Sequence, residues 1–222
     1  MTRNINTKQR IIITAGPTIE GIDPVRYLSN RSTGTMGYLM AEEAVKSGYE
    51  VVLITGPVSI PLPEDVEAVS VETASEMEEA VKKRIRTGDC IIMAAAVCDF
   101  RPVKKEEKKI KKAEKITLEL EKNPDILLSI KDMNGLVRIG FALETENALS
   151  NGKAKLEGKG LDMIVINEVS GSRTPFGENE RPGGYDYTIL SKHGEEREFR
   201  GVTKRQLART VIEMAGQTMG KG

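Results

Sequence analysis

The sequence predicts a doubly wound, Rossmann-like α/β fold built on a mainly parallel sheet. Short, continuously apolar runs alternate with helical patterns, which is typical of strands that are covered by helices on both faces. Near the C-terminal end, two strand-like runs flank a short polar turn and predict an antiparallel hairpin added to that sheet. Because no repeat and no linker divides the 222 residues, we expect a single domain over residues 1–222.

The predicted core strands are five apolar runs rich in Ile, Val and Met. They cover residues 11–16, 50–55, 90–96, 137–143 and 162–167. The added hairpin pairs "YDYTILSK" with "EREFRGV" across the turn "HGE".

Five helical patterns lie between these strands or follow them. They cover residues 33–47, 76–87 and 146–158, the stretch "NPDILLSIKDMN", and the final "TKRQLARTVIEMAGQTMG". The predicted start signals are Ser75 with Glu78, Asn123 with Pro124, and Thr203 with Gln206. Gly152 interrupts its pattern and is expected to weaken that helix.

Two segments do not fit regular structure. Residues 101–115, "RPVKKEEKKIKKAEK", carry eight basic and three acidic residues, so the segment is either a solvated charged excursion or an anion-binding element. Residues 170–184 are rich in Gly, Pro and Ser and form a long loop, which is either functional or simply mobile surface.

The balanced composition excludes several classes of partner. Lys plus Arg and Asp plus Glu number 33 each, so we expect no nucleic-acid partner and no attraction to acidic membranes. No apolar run approaches the roughly 18 residues of a membrane span, and the first ten residues are polar without a following signal region. We therefore expect a soluble, cytoplasmic protein.

The two cysteines and the one histidine argue against catalysis by cysteine or histidine. The spacing of Cys90 and Cys98 matches no zinc, iron–sulfur or redox motif, and we interpret both as free thiols. His193, the only histidine, falls in the hairpin turn, so a Ser-His-Asp triad or a helix-borne zinc site is excluded. We predict no dedicated metal site, and any reaction must depend on Lys, Asn, Asp, Arg and the backbone.

A dinucleotide-binding turn is the first hypothesis for "RSTGTMG", and it fails. A Rossmann fingerprint needs its glycines directly between strand and helix, yet a long polar connection separates Gly16 from Gly34. It also needs an acid at the end of the second strand, and Glu50 stands at the opposite end. An NAD-dependent reductase is therefore disfavoured.

Anion binding survives as a hypothesis for the same stretch. Ser32, Thr33, Gly34 and Gly37 surround the start of a helix, where free N–H groups and the helix dipole favour a phosphate. Simple capping and close helix–sheet packing explain the same residues, and the sequence leaves both interpretations open. A second predicted helix start offers the N–H groups of Asp125, Ile126 and Leu127.

These features are expected to converge on one cleft. Ligands of α/β sheets bind beyond the carboxyl ends of the strands. Residues at or just past such ends are Gly16, Ala95, Ala96, Asp99, Phe141 and Asn167. Lysines that could neutralise a polyphosphate there are Lys109, Lys111, Lys112, Lys155 and Lys159.

Seven stretches carry a resemblance to a known family. They are "ITAGPT", "DPVRYLSNRSTGTMG", "AAAVCDFRP", "KIKK", "KNPDIL", "GFALET" and "LDMIVIN", in this order along most of the chain. Together they resemble the phosphopantothenate–cysteine ligases of coenzyme A biosynthesis. In many bacteria such a ligase is the C-terminal half of a protein whose N-terminal half is a flavin-dependent decarboxylase, so we expect a stand-alone ligase or an excised domain.

The resemblance implies a two-step ligation. The carboxylate of 4'-phosphopantothenate attacks the α-phosphate of CTP and gives an acyl-cytidylate and pyrophosphate, after which L-cysteine displaces CMP. Such chemistry needs orientation and charge neutralisation more than a histidine. Mg²⁺ would arrive with the nucleotide. The resemblance further implies a homodimer in which residues 101–115, from here on the strap, close over the nucleotide.

Residue roles follow from the resemblance and the expected cleft. Asn30 is expected to hold the acyl-nucleotide intermediate, and Lys109 to be required for activity. Assigned nucleotide contacts are Gly16, Ser32, Gly34, Gly37, Ala95, Asp99, Lys109, Asn123, Asp125, Ile126, Leu127, Phe141, Lys155 and Lys159. Assigned substrate contacts are Asn30, Ala95, Ala96 and Asn167.

Three positions depart from the commonest family pattern. Thr33 and Thr35 stand where "SSGKMG" is usual, and Cys98 replaces a small residue before Asp99. Thr35 stands at the position of the lysine in "SSGKMG", which removes a positive charge beside the phosphates, so the choice of nucleotide could differ from that of the family. The alternatives kept open are an ATP-using version of the ligase and a non-catalytic nucleotide-binding module.

Overall fold

The computed structural model describes residues 8–168 and 182–220. In chain order the elements are β1 (Arg10–Ala15), β2 (Ile19–Gly21), β3 (Tyr27–Ser29), α1 (Thr35–Lys46), β4 (Glu50–Thr55), β5 (Glu67–Ser70), α2 (Ala74–Arg84), β6 (Cys90–Met93), β7 (Phe100–Pro102), β8 (Leu120–Lys122), α3 (Ile126–Ser129), β9 (Val137–Glu144), α4 (Ala148–Gly158), β10 (Met163–Glu168), β11 (Tyr185–Ser191), β12 (Glu196–Val202) and α5 (Lys204–Met219). The loop predicted over 170–184 lies almost wholly outside the described residues.

The main sheet has eight strands in the order β12-β11-β10-β9-β6-β1-β4-β5. The six strands from β10 to β5 are parallel, and β11 and β12 extend the sheet as an antiparallel hairpin. This arrangement confirms the predicted Rossmann-like fold with its added hairpin. The chain leaves β1 toward β4 on one side and returns to β6 on the other, so the two connections diverge between β1 and β6. In α/β sheets such a switch point is where ligands bind.

Helices cover both faces of the sheet. On one face α1 and α5 pack on an apolar layer that includes Ile11, Met40 and Val211. On the other face α2, α3 and α4 pack on a second apolar layer that includes Ile12 and Met77. Each strand of the centre therefore buries both of its sides, which explains why its sequence is continuously apolar.

A buried carboxylate joins α1 to α5. Glu43 accepts hydrogen bonds from Lys46 (2.9 Å), Arg205 (3.0 Å) and Arg209 (3.4 Å). Burial acts to raise the pKa of Glu43, but these three cations outweigh it and hold the pKa below its usual value. The helix that opens the cleft is thereby tied to the last helix of the chain.

Two of the predicted helix starts are wrong. Thr73, and not Ser75, caps α2 with Glu76 in a capping box, because the sequence offers two overlapping boxes and the side chain of Ser75 instead accepts from Arg101 (3.0 Å). Asp125, and not Asn123, caps α3, which has only four residues. The capping box at Thr203 and Gln206 is confirmed.

Gly152 was expected to weaken its helix, but the structure gives it a packing role. A Cβ atom there would lie 2.1 Å from the Cδ1 atom of Ile166 on β10, so a larger residue would require this buried side chain to shift.

Two small hairpins stand beside the sheet and were not predicted. One pairs β2 with β3, and the other pairs β7, where the strap begins, with β8, which follows the strap in the chain. Among the described residues, none of the helices combines the length and apolarity that a bilayer crossing requires.

Candidate functional site

A cavity of about 860 Å³ opens at the carboxyl edge of the sheet, above the switch point. Most of the predicted site residues line it. They are Asn30, Ser32, Gly34, Ala95, Ala96, Asp99, Asn123, Asp125, Ile126, Leu127, Phe141, Lys155, Lys159 and Asn167. Residues at or just past the carboxyl ends of β6, β9 and β10 thus meet at one place, as the strand ends predicted.

Five predicted residues lie outside the wall of the cavity. Gly16 lies behind Gly34, since a Cβ atom on Gly34 would stand 3.4 Å from the Cα atom of Gly16. Gly37 faces β1, where a Cβ atom would lie 2.5 Å from the Cβ atom of Ala15. Lys109, Lys111 and Lys112 are exposed within the strap. Gly16 and Gly37 therefore shape the backbone beneath the cavity, and none of these three lysines lines it.

The start of α1 forms one end of the cavity. Gly34 precedes the helix with a left-handed backbone (φ 79°), and its N–H donates to the hydroxyl of Ser32 (3.3 Å). The hydroxyls of Thr33 and Thr35 lie 2.8 Å apart. No acidic residue occupies the first turn, so the positive end of the helix dipole faces the cavity without a carboxylate beside it on the helix. Of the interpretations left open, the close packing is confirmed at Gly37, whereas no side-chain hydrogen bond caps α1, and anion binding at the helix start stays a prediction.

Asn30 follows β3 and reaches across to the strand-end loop after β6. Its Nδ2 atom donates to the backbone oxygen of Ala96 (2.8 Å), which fixes the plane of the amide. Ala96 in turn donates its N–H to Gly16 (2.8 Å) and pairs with Pro17, so the loop continues the sheet past Met93. The predicted position of Asn30 in the cleft is thus explained by local pairing.

Cys98 packs directly behind Asn30. Its thiol is buried and lies 3.9 Å from the Nδ2 atom of Asn30, and its N–H donates to the hydroxyl of Thr18 (2.9 Å). Burial raises the pKa of the Cys98 thiol, so at neutral pH it stays protonated. The residue fills the wall of the cavity as a small apolar group. Cys90 is buried within the sheet, and both thiols are free.

Two lysines on the far wall are held by carboxylates. Lys155 lies 2.5 Å from Glu144, which also accepts from Asn151 (2.8 Å). Burial acts to raise the pKa of Glu144, but the bonds from Lys155 and Asn151 outweigh it and lower the pKa. Lys159 pairs with Asp125 at 2.9 Å. Both cations are thus positioned at the cavity, and an incoming anion would share them with these carboxylates.

The second helix start also lies at the cavity, and anion binding by its N–H groups stays a prediction. Asp125 accepts from the N–H of Leu128 (3.2 Å) and so places a carboxylate at the start of α3. Asn123 follows β8 and joins the β7–β8 hairpin to the cavity wall, since its Nδ2 atom donates to the oxygen of Cys98 (2.9 Å). Ile126 and Leu127 are buried and contribute apolar surface.

Lys204 and Tyr187 are cavity residues that the sequence did not reveal. Lys204 is only 4% exposed, and its Nζ atom lies 4.9 Å from the centre of the Tyr185 ring. It reaches the cavity because β12, which is antiparallel to β11, runs in the same direction as the parallel strands and delivers the start of α5 to their carboxyl edge. The signal was present in the hairpin prediction, which already implied that direction.

No metal cluster is found in the parts of the chain that the structure describes. Over residues 8–168 and 182–220, no group of three or more His, Cys, Asp or Glu side chains is arranged to hold a metal ion.

Comparison with known proteins decides the family. Residues 6–218 match the family described as DNA/pantothenate metabolism flavoprotein C-terminal domain. The chain belongs to this family. Its match confirms, at the level of the family, the resemblance that the seven sequence stretches carried.

Relatives in the family are longer proteins. Coenzyme A biosynthesis bifunctional protein CoaBC of Vibrio cholerae is 38% identical over 216 residues, which cover 95% of the chain and 53% of that relative. The protein of the same description from Bacillus subtilis is 38% identical over 208 residues, covering 92% of the chain and 50% of that relative. The chain spans about half the length of the curated relatives it matches.

Solved structures share the fold. The crystal structure of the C-terminal domain of Coenzyme A biosynthesis bifunctional protein CoaBC has a TM-score of 0.81 at 37% identity, covering 98% of the chain and 100% of that structure. A Cab2 mutant in complex with phosphopantothenate-cysteine has a TM-score of 0.77 at 16% identity, covering 98% of the chain and 88% of that structure. The second likeness supports the fold alone.

Proposed function

We propose that the chain joins 4'-phosphopantothenate and L-cysteine to 4'-phosphopantothenoyl-L-cysteine, with CTP as the activating nucleotide. The supporting observation is the cavity at the switch point, which brings Asn30, the start of α1, Asp99 and the Lys155–Lys159 pair to one place. The names of the CoaBC relatives agree with a role in coenzyme A biosynthesis.

In the first step the substrate carboxylate attacks the α-phosphorus atom of CTP, and the bond to pyrophosphate breaks. Charge builds up on the departing phosphates, and the N–H groups at the start of α1 are suited to receive it. Lys155 and Lys159 stand on the opposite wall and would neutralise the remaining phosphate charge. Lys109 would add its charge from the strap.

In the second step the amine of cysteine attacks the acyl carbon, CMP leaves, and the nitrogen loses a proton. The amide of Asn30 is fixed by its bond to Ala96, so its free oxygen has a defined direction for accepting from the incoming amine. Holding the two reactants in line is the main contribution that such a site can make.

Mg²⁺ is the cation proposed to accompany CTP. It usually keeps several waters and takes further ligands from phosphates, so it requires few protein oxygens. Asp99 is an exposed carboxylate on the cavity wall and could supply one ligand. A location in the cytoplasm and a homodimeric assembly are part of the same proposal.

Pyrophosphate release tests the proposal. The chain is assayed with phosphopantothenate, cysteine and Mg²⁺, in parallel with CTP and with ATP, and we expect a higher kcat/KM with CTP. Equal or better efficiency with ATP would favour the ATP-using version of the ligase. No pyrophosphate with either nucleotide, despite nucleotide binding, would instead support a non-catalytic binding module, and a nicotinamide absorbance change would indicate a reductase.

A further inference from the structure

The turn between β2 and β3 is built around a single buried carboxylate. The side chain of Asp23 is fully buried although the hairpin lies on the surface. Its Oδ1 atom accepts from the N–H groups of Val25 and Arg26, both at 2.8 Å. These two bonds close the turn locally, as Asp side chains commonly do.

The other oxygen of the same carboxylate reaches the strap. Oδ2 of Asp23 accepts from the guanidinium of Arg26 and from the N–H of Ile110 (3.1 Å), a residue 87 positions further along the chain. Arg26 completes the ring by donating through Nη2 to the oxygen of Ile110 (3.0 Å). The Asp23–Arg26 ion pair is therefore hydrogen-bonded to both the N–H and the oxygen of Ile110. These bonds hold the pKa of Asp23 far below its usual value despite burial, the bond from Arg26 being the largest cause.

Two further contacts fix the part of the strap that precedes Ile110. The N–H of Glu106 donates to the oxygen of Ile22 (2.9 Å). The side chain of Lys105 lies over Gly21, where a Cβ atom would stand 2.9 Å from the Cε atom of Lys105. Strap residues 105–110 are thus attached along one side of the hairpin.

The same hairpin ends at Asn30. Its second strand stops at Ser29, whose hydroxyl donates to the oxygen of Thr18 (2.8 Å), and Asn30 then bonds to Ala96 at the cavity. Lys109 directly precedes Ile110. The two residues to which catalysis is assigned are therefore connected through one short, internally bonded element.

We propose that Asp23 and Arg26 form an anchor that positions Lys109 relative to Asn30. The proposal rests on the function proposed above. With the backbone fixed at Ile110, Lys109 can reach only the space within one side-chain length of that point, so less freedom is lost when it meets the phosphates. Asp23 and Arg26 are positioning residues and touch no substrate themselves.

A substitution of Asp23 distinguishes the bonds of Oδ2, which form the anchor, from those of Oδ1, which close the turn. Asp23→Asn keeps Oδ1 for the turn but replaces Oδ2 by an NH2 group, which then faces the donors of Arg26 and Ile110. The matched control is Glu106→Gln, which removes the exposed Lys104–Glu106 pair (2.9 Å) from the same strap without touching the anchor. Should Asp23→Asn fail to fold, Arg26→Lys serves instead, because an ammonium cannot span the carboxylate and the Ile110 oxygen as the planar guanidinium does.

Amide exchange and kinetics are measured on the full chain. In Asp23→Asn we expect exchange of the Ile110 amide to rise at least about tenfold, with the Val25 and Arg26 amides unchanged. The kcat for pyrophosphate release should fall about 10- to 100-fold, with KM for the nucleotide within about threefold of the wild type. Glu106→Gln should match the wild type in both respects. The double variant with Lys109→Gln should be no slower than Lys109→Gln alone, within about twofold.

Each outcome decides a separate part of the proposal. Unchanged exchange at Ile110 would overturn the anchor. Faster exchange with full kcat, or a double variant with multiplied losses, would overturn the positioning of Lys109. Absence of pyrophosphate release by the wild type would contradict the proposed function, and the exchange result would still decide whether the anchor exists.

Discussion

Asn30 stands at the cavity with its amide group held in one orientation. The bond from Nδ2 to the Ala96 oxygen requires a donor, which a carboxylate cannot supply, and a carboxylate would also face that oxygen with like charge. In Asn30→Asp we therefore expect the acyl-cytidylate to form but to react slowly with cysteine, with product formation reduced at least about tenfold. Mass spectrometry of quenched reactions should show the intermediate accumulating.

The control is an Asn-to-Asp substitution away from the cavity. Asn134→Asp alters the same groups at an exposed turn and should behave as the wild type. If Asn30→Asp released no pyrophosphate at all, Asn30 would belong to the first step and the assignment to the second step would be wrong.

At the scale of elements, the approach of α1 to β1 decides where the helix start lies. A Cβ atom on Gly37 would stand 2.5 Å from the Cβ atom of Ala15 and 3.1 Å from the oxygen of Thr14. Gly37→Ala should therefore push α1 off the strand, lower the free energy of unfolding by about 1–3 kcal/mol and weaken nucleotide binding. Urea unfolding and nucleotide titration measure the two effects.

Gly158→Ala is the matched control for this helix–sheet contact. Gly158 ends α4, and a Cβ atom there would meet no atom within 4 Å. Because alanine is the better helix former, this change should stabilise the chain by up to about 1 kcal/mol. Equal unfolding midpoints for the two variants would contradict the packing role of Gly37.

The sequence predicted those elements whose signals are local. The α5 start at Thr203 and the β11–β12 turn depend on neighbours three or four residues apart, and both are confirmed. The start of α2 was misplaced because Thr73 and Ser75 both satisfy the same pattern, and only contacts with distant residues distinguish them. The edge strand β5 was missed because none of its residues is fully buried, so it shows no continuous apolar run.

The same distinction applies to the site. Strand ends placed Ala95, Phe141 and Asn167 at the cavity because parallel strands share one carboxyl edge. The position of the strap could not be predicted, since it depends on the contact between Asp23 and Ile110 across 87 residues. Sequence patterns of short period carry no information about such a pairing.

At the scale of the whole molecule, exposed apolar side chains concentrate in the β2–β3 hairpin and in residues 100–120. Tyr27 is 57% exposed, and others in these two segments are Val25, Phe100, Val103, Ile116, Leu118 and Leu120. Such a concentration is typical of an interface between proteins. We expect a homodimer with a two-fold axis, and sedimentation at micromolar concentration should show twice the mass of one chain.

Tyr27→Glu should shift this equilibrium toward the monomer, because it places a charge within the apolar surface. Leu62→Glu makes the same kind of change at a 53% exposed residue between β4 and β5 and should leave sedimentation unaltered. A wild-type chain that sediments as a monomer would refute the dimer.

The central position of β1 has a consequence for synthesis on the ribosome. β1 emerges before both of its neighbours, which are residues 50–55 and 90–93. At about 5–20 residues per second, roughly 4 to 16 s pass between the emergence of Ala15 and that of Met93. During this time the isoleucines of β1 lack at least one of their final neighbours, so the nascent chain carries an unpaired hydrophobic segment until β6 is translated.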